Sequence, residues 1–256
     1  MRKILIVLLS PLAFLRLVLV FTYTFILYLL SVSFYLLFVR KLPTRFMWRF
    51  MQLWARGILF IMGVKMDVRY EGRVDKPGLI LSNHRSYIDI FVNLAVNPSR
   101  IIAKREMTKW PFFRMGMKMF DTLILDRGSM ASRFENIRKM EKVLTNGHSL
   151  IIYPEGTTYR GPEIGKIKSS TYRIASQNNI LTYPIAIEYK NQDDAWIGDD
   201  LFVPHFIRRA GMPIRFVKVV VGKPMQTEDN EKLQEYIEGF WKDKIKEARA
   251  RYDRKK

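Results

Sequence analysis

The sequence predicts an α/β protein: a mixed, largely parallel sheet flanked by helices, behind an N-terminal membrane-anchoring helical region. Three observations predict it. Residues 4–39 are almost uninterrupted apolar sequence. From Lys65 onward, short apolar runs alternate with helix-compatible segments, the pattern of strands joined by crossover helices. Three of those runs end abruptly in polar clusters, at Asn83-His84, at Asp126-Arg127-Gly128 and at 154–161. The carboxyl ends of parallel strands share an edge, and crevices there hold ligands, so the three clusters are expected to converge on one site. The chain divides into an anchor with an interfacial helix at 1–64 and an α/β domain at 65–256.

Within residues 4–39, Arg16 is the one formal charge and Pro11 the one helix breaker. Residues 17–39 carry no charge and are long enough to cross a hydrocarbon core of about 30 Å. The stretch is too long for a cleaved signal peptide and lacks a small-x-small site. Pro11 and Arg16 leave two forms open, a single crossing and a shallow hairpin. Arg2 and Lys3 precede the apolar stretch, while Arg40, Lys41, Arg45, Arg49 and Arg56 follow it. The larger basic flank puts the rest of the chain at the cytoplasmic face, of the inner membrane in a bacterium. Residues 44–62 predict an amphipathic helix, with Phe46, Phe50, Trp54 and Ile58 interleaved with the three arginines. That composition suits a membrane interface and equally suits packing on the globular domain.

Strands are predicted at 66–70, 79–82, 100–103, 122–125, 149–153, 182–188 and 214–222. Helices are predicted at 87–96, 107–119, 129–146 (with Gly147 as terminator), 168–177 and 230–252. The last is packed through Leu233, Ile237, Phe240, Trp241 and Ile245.

Composition narrows the chemistry. Lys and Arg number 43 against 24 Asp and Glu, a net charge of +19. Such a chain favours nucleic acid, anionic lipid or a phosphate-bearing substrate. No zinc-finger, RNP-like or recognition-helix motif is present, and the basic residues gather partly beside the anchor, so no nucleic-acid partner is expected. The absence of cysteine excludes disulfides, thiol catalysis and thiolate metal sites. The three histidines, His84, His148 and His205, lack the spacing of a zinc site, and no metal is expected.

His84 falls where the run at 79–82 gives way to a helix, and Asp89 follows five residues later. On one continuous helix these positions point apart, because each residue turns by about 100°. A histidine in the turn escapes that limit. A carboxylate on Nδ1–H fixes the tautomer and leaves Nε2 free to take a proton, with no protein nucleophile needed if the substrate brings a hydroxyl. The plain alternative is a turn histidine beside a first-turn acid, with Asn83 or Ser86 as the helix N-cap. Arg127 offers a planar fork fitted to phosphate or carboxylate, or else pairs with Asp121 or Asp126. Glu155, between Pro154 and Gly156, could orient a hydroxyl, hold Arg127, or be a plain turn acid. Gly156 and Gly161 allow close backbone approach for an oxyanion or phosphate. Lys104 and Arg160 are further cations.

Four motifs in order carry a family resemblance: Asn83-His84-x4-Asp89, Leu125-Asp126-Arg127, Tyr153-Pro154-Glu155-Gly156-Thr157 and Tyr183-Pro184-Ile185-Ala186. Together they resemble the glycerolipid acyltransferases, of which the lysophosphatidic acid acyltransferases are the best-known members. Ala103-Lys104-Arg105-Glu106, followed by Pro111-Phe112-Phe113, is similar too, and the likeness spans about residues 78–187. The resemblance implies that family's fold. It implies His84 as general base, Asp89 as its partner, Arg127 and Glu155 as acceptor-headgroup binders, and Gly156 and Thr157 in the same pocket. It also implies acyl-CoA or acyl carrier protein as acyl donor, a lysophospholipid as acceptor, membrane lipid as surroundings, and no cofactor.

Three positions depart from the family pattern. Thr158 stands where Arg often follows Gly-Thr, with Arg160 two places later; Asp121 replaces a frequent Gly; and Lys168-Ser169-Ser170 replaces Lys-x-Gly. These changes, with 195–199 and His205-Phe206, look like those of relatives that acylate lyso-ornithine lipid. The expected reaction is transfer of the acyl group to a lysolipid hydroxyl, first of all 1-acyl-glycerol-3-phosphate, without an acyl-enzyme. The rival readings are a non-catalytic, membrane-tethered lipid-binding protein and a hydrolase in which His84 activates water.

Overall fold

The computed structural model describes residues 2–37, 44–109, 117, 121–126 and 129–254. A long helix α1 (Arg2–Leu37) is followed by α2 (Thr44–Ile61) and β1 (Val64–Tyr70). Next come β2 (Leu79–Ser82), α3 (Asp89–Val96), β3 (Ile102–Lys104) and β4 (Leu123–Leu125). Helix α4 (Met130–Thr145), β5 (Leu150–Ile152), α5 (Ser170–Gln177) and β6 (Thr182–Tyr189) follow. Helix α6 (Phe202–Ala210), β7 (Arg215–Val221) and α7 (Asn230–Asp253) complete the order.

Five strands form one sheet in the order β1-β7-β6-β2-β5. Every pairing in it is parallel except β6 with β7, so the sheet is mixed and largely parallel, as the alternation of runs and helices predicts. Strands β3 and β4 pair in parallel as a separate ribbon. The ribbon meets the main sheet at Arg100, whose carbonyl accepts from Ile151 N at 2.9 Å.

The pleat sorts the side chains. Successive strand residues face opposite sides, so Ile80 enters one core while Leu79 and Leu81 enter the other. The first core lies under α1, α2 and α3 and takes Ala13, Met51, Ala55, Ile58, Val92, Ile151, Ile185, Val217 and Val219. The second lies under α5 and α7, where Tyr172, Ile174, Leu233, Ile237 and Trp241 meet Leu150, Ile152 and Ala186. Strand β6 is buried at all eight positions, so its middle, 183–187, is apolar, and its one charge, Glu188, is paired with Arg85 and Arg249. Trp241 spends its one polar group on Ile185 O at 2.9 Å.

Local signals set the helix ends. Ser129 caps α4 in a reciprocal box with Ser132, and Asp229 accepts from Glu231 N and Lys232 N at the start of α7. Gly147 takes a positive φ of 72° just past α4, the left-handed turn for which glycine is suited. Two elements differ from expectation. Of the helix predicted at 107–119, the described part ends in a 3-10 turn, Arg105–Lys109, and most of the remainder lies outside the described residues. Helix α6 lies in a stretch to which no element is assigned from the sequence; its Pro204 sits in the first turn, where a missing N–H costs nothing.

Helix α1 lies along the α/β body. Arg16, nearly buried, donates to the carbonyls of Ala210 and Met212 at 2.7 and 2.5 Å and of Pro213 at 2.7 Å, closing the C-terminal end of α6. Further on, α1 meets α2 through Tyr23 Oη to Leu53 O at 2.9 Å, Trp54 Nε1 to Thr24 Oγ1 at 3.1 Å, and a Phe34–Phe46 stack. Its other side presents Phe14, Leu15, Phe21, Phe25, Ile26, Leu29 and Leu30. The segment Ser10–Phe34, 25 residues, is long and apolar enough to cross a membrane.

Candidate active site

Strand β2 ends at Ser82, and the chain turns through Asn83 and His84 before α3 begins at Asp89. The turn is built by the Asp89 carboxylate. Its Oδ2 accepts from Arg85 N at 2.5 Å and Ser86 N at 2.8 Å, and lies 2.8 Å from His84 Nδ1. Two backbone donors and a ring thus converge on one oxygen, so the i to i+5 pair meets because His84 lies outside the helix. Asp89 is fully buried, while the His84 side chain keeps 18% of its exposure. Among the described residues, His84 Nε2 has no hydrogen-bond partner. Neither Asn83 nor Ser86 caps α3. Asn83 instead exchanges two bonds with the backbone of Ile187 in β6, at 2.9 and 2.7 Å, fastening the turn to the central strand.

Glu155 follows β5 and comes back to the same turn. Its Oε2 accepts from His84 N, and its Oε1 accepts from Gly165 N at 2.8 Å. It is 4% exposed, and burial raises its pKa against the pull of those two N–H groups. Both oxygens are therefore engaged with backbone. Tyr153, just before it, lies flat on the His84 imidazole with ring centroids 4.1 Å apart, and its hydroxyl accepts from Asn93 Nδ2 at 2.8 Å. Gly156 has a φ of 72°, and a Cβ there would stand 2.6 Å from Lys168 Nζ, so that ammonium closes over the turn.

The 158–165 loop is latched on three sides. Tyr159 N donates to His84 O at 2.9 Å, and Thr158 Oγ1 bonds Trp196 O. Arg85, fully buried, donates to Glu163 O at 2.5 Å and to Tyr159 O at 3.3 Å while its Nε pairs with Glu188 at 3.1 Å. Trp196 N returns the tie by donating to Arg85 O at 3.0 Å. Arg160 stands outside, half exposed and 3.6 Å from Asp193. His205, buried in α6, faces the carbonyls of Asp193 and Ala195 with Nε2 and Tyr87 Oη with Nδ1. Burial lowers its pKa, against the pull of Asp200 and the two carbonyls.

The structure therefore brings together His84, Asp89, Glu155, Gly156 and the start of the 158–165 loop. Thr157 lies in the same turn. Arg127 lies outside the described residues, as does the side chain of Lys104, whose backbone closes β3. Of the acids near it in sequence, Asp121 holds Arg100, and Asp126 bonds Arg105 Nη1 at 2.7 Å. Tyr189, Arg85 and Asn93 also belong to the site, though no motif residue of the sequence points to them, and Tyr153 belongs to it as the first residue of the third motif. Tyr153 was within reach, since it opens the third motif beside the strand that carries His84.

A family model described as Acyltransferase matches residues 65–188. A lyso-ornithine lipid O-acyltransferase of Pseudomonas aeruginosa is 33% identical over 148 residues, 56% of this chain and 57% of that protein. A 1-acyl-sn-glycerol-3-phosphate acyltransferase of the same organism is 29% identical over 153 residues, 57% and 60% of the two chains. The chain thus spans under two thirds of the length of these relatives. Among solved structures, the 1-acyl-sn-glycerophosphate acyltransferase PlsC of Thermotoga maritima superposes with a TM-score of 0.72, covering 98% of each chain at 20% identity. That likeness is one of fold. The matched domain, these relatives and this fold together support the glycerolipid acyltransferase family for the chain.

Proposed function

We propose that the protein is an O-acyltransferase that moves a fatty acyl group from a thioester, on coenzyme A or acyl carrier protein, to the free hydroxyl of a lysolipid. The observation that carries this is the His84–Asp89 pair, 2.8 Å apart, with Asp89 buried and Nε2 left for a substrate proton. The lysolipid hydroxyl oxygen attacks the thioester carbonyl carbon while Nε2 takes its proton. Asp89 stabilises the imidazolium formed, and backbone N–H groups of the 154–158 turn receive the oxyanion. The C–S bond then breaks, the ester carbonyl re-forms, and the thiolate takes the proton back from His84. No covalent acyl-enzyme forms. Glu155 acts here as a positioning residue, since its oxygens hold the backbone of His84 and Gly165.

The acceptor we propose is 1-acyl-glycerol-3-phosphate, giving phosphatidic acid, with Arg127 and Lys168 as the cations for its phosphate. A second acceptor, lyso-ornithine lipid, is supported by the loop. Thr158 spends its hydroxyl on Trp196 O and Arg160 faces Asp193, which leaves those two positions poorly suited to a phosphate. For the membrane, the packing favours the hairpin over a single crossing. One side of α1 is taken by α6 and α2, so lipid meets only its outward face.

The test is acyl transfer by the detergent-solubilised protein from labelled acyl-CoA and acyl carrier protein to lysophosphatidate, lysophosphatidylglycerol, lysophosphatidylethanolamine and lyso-ornithine lipid. A product lost by at least about 100-fold in His84→Ala, with unchanged melting, is the expected result. Fatty acid release without any lysolipid would point to hydrolysis instead. No product from a folded sample would sink the transferase reading.

A further inference from the structure

Asp89 is held by more than the imidazole it orients. Three of its partners, His84, Arg85 and Ser86, lie within five residues of it and share Oδ2. The fourth comes from 100 residues away: Tyr189, at the end of β6, donates its hydroxyl to Oδ1 at 2.7 Å. Tyr189 is buried and sits on the antiparallel seam, opposite Val217 of β7. We propose that Tyr189 is a positioning residue of the reaction, which sets through Asp89 how tightly His84 holds its proton. This inference rests on the proposed role of His84 as the base.

The sign follows from the hydrogen bond. The phenol draws charge from the carboxylate, so the carboxylate attracts the imidazole proton less strongly. Burial holds the Tyr189 hydroxyl far above its ordinary pKa, so it remains a donor wherever the enzyme works. Removing it leaves Oδ1 without its donor in a site that water does not reach. Asp89 then becomes more basic, the imidazolium is better stabilised, and His84 keeps its proton to higher pH. The other ionisable groups facing the pair are Tyr153 and Glu155 beyond β5, Arg85 in the same turn, and Asp194 and Arg215 behind Tyr189. Tyr189→Phe leaves all of them in place.

The experiment compares wild type and Tyr189→Phe in two ways. The first is the pH profile of kcat/KM for acyl transfer. The second is the NMR titration of the imidazoles, of which the chain has three, with His84→Gln assigning one. The acidic limb and the His84 titration are both expected to move to higher pH by about half a unit or more. Site-specific 3-fluorotyrosine at 189, a stronger donor, should move both the other way; it also serves if Tyr189→Phe does not fold. The titration needs no turnover. If transfer fails with every acceptor but the titration shifts as stated, the coupling stands and the transferase reading falls. A folded Tyr189→Phe whose limb and titration stay within about 0.1 unit of wild type, or move down, overturns the proposal.

Discussion

Glu155 is a carboxylate kept in a place that disfavours its charge. Burial raises its pKa, and two backbone N–H groups, from His84 and Gly165, offset part of that cost. Glu155→Gln keeps the shape but puts an amide NH2 against one of those N–H groups. We expect a loss of about 2 kcal/mol in stability, read from chemical denaturation, because one buried donor goes unpaired. Transfer should fall in kcat, since the backbone of His84 shifts, while KM for the lysolipid changes little. A rise in KM with kcat preserved would instead make Glu155 a headgroup binder. The pH sign is fixed as well. A carboxyl with a raised folded pKa contributes stability that is full below its unfolded pKa and is lost as pH rises through the folded value. The component of stability with that slope should vanish in Glu155→Gln. At this scale the sequence carried part of the site. His84 and Asp89 are five residues apart and reveal their pairing through the strand-to-helix turn. Tyr189 and Glu155 reach the same turn from 100 and 71 residues away, and nothing local in their neighbourhoods records that contact.

Elements lock through their ends. The α6 carbonyls at Ala210 and beyond point at Arg16, which brings a cation to the negative end of the helix dipole and three hydrogen bonds with it. In the same way Arg56 Nε reaches Ala95 O, near the C-terminal end of α3, at 3.2 Å. An arginine inside an apolar run reads in the sequence as an interruption of a membrane span. Here it is a tether between that helix and the α/β body. Arg16→Met should keep α1 apolar and helical while it frees those carbonyls. We expect a loss of about 2–3 kcal/mol in the docking of α1. Limited proteolysis should then cut the 211–214 segment faster than in wild type, with the protein still recovered in the membrane fraction. Equal cleavage rates would show that Arg16 does not hold α1 down. Helix α6 itself was not legible, since it is only nine residues long and carries a proline in its first turn. The 129–146 and 230–252 helices were, because Gly147 ends the first and Leu233, Ile237, Trp241 and Ile245 recur along one face of the second.

Across the whole molecule, the largest patterns were the most legible. The alternation from Lys65 onward gave the mixed, largely parallel sheet, because strands buried on both faces must be apolar throughout and crossover helices must separate them. The form of the membrane contact was not, because hydropathy records how apolar a segment is and not which of its sides is already taken. Ala13, Arg16, Tyr23 and Thr24 of α1 face α6 and α2, and this contact along one side is what supports the proposed hairpin. The outward side of α1, with Leu53 and Phe60 of α2, remains for lipid. A pair of antiparallel helices lying on the domain in this way keeps the start of α1 and the end of α2 on the same side of the bilayer; a single crossing puts them on opposite sides. The chain has no cysteine, so single cysteines report position without background. Lys3→Cys marks the start of α1, and Arg73→Cys marks the exposed turn after β1. In sealed, oriented vesicles, a membrane-impermeant maleimide should label both or neither. Labelling of one from outside, with the other reached only after lysis, would mean that α1 leaves the α/β body to span the membrane. The Arg16 bonds to Ala210, Met212 and Pro213 would then have to break, and the first core would lose Ala13 with them.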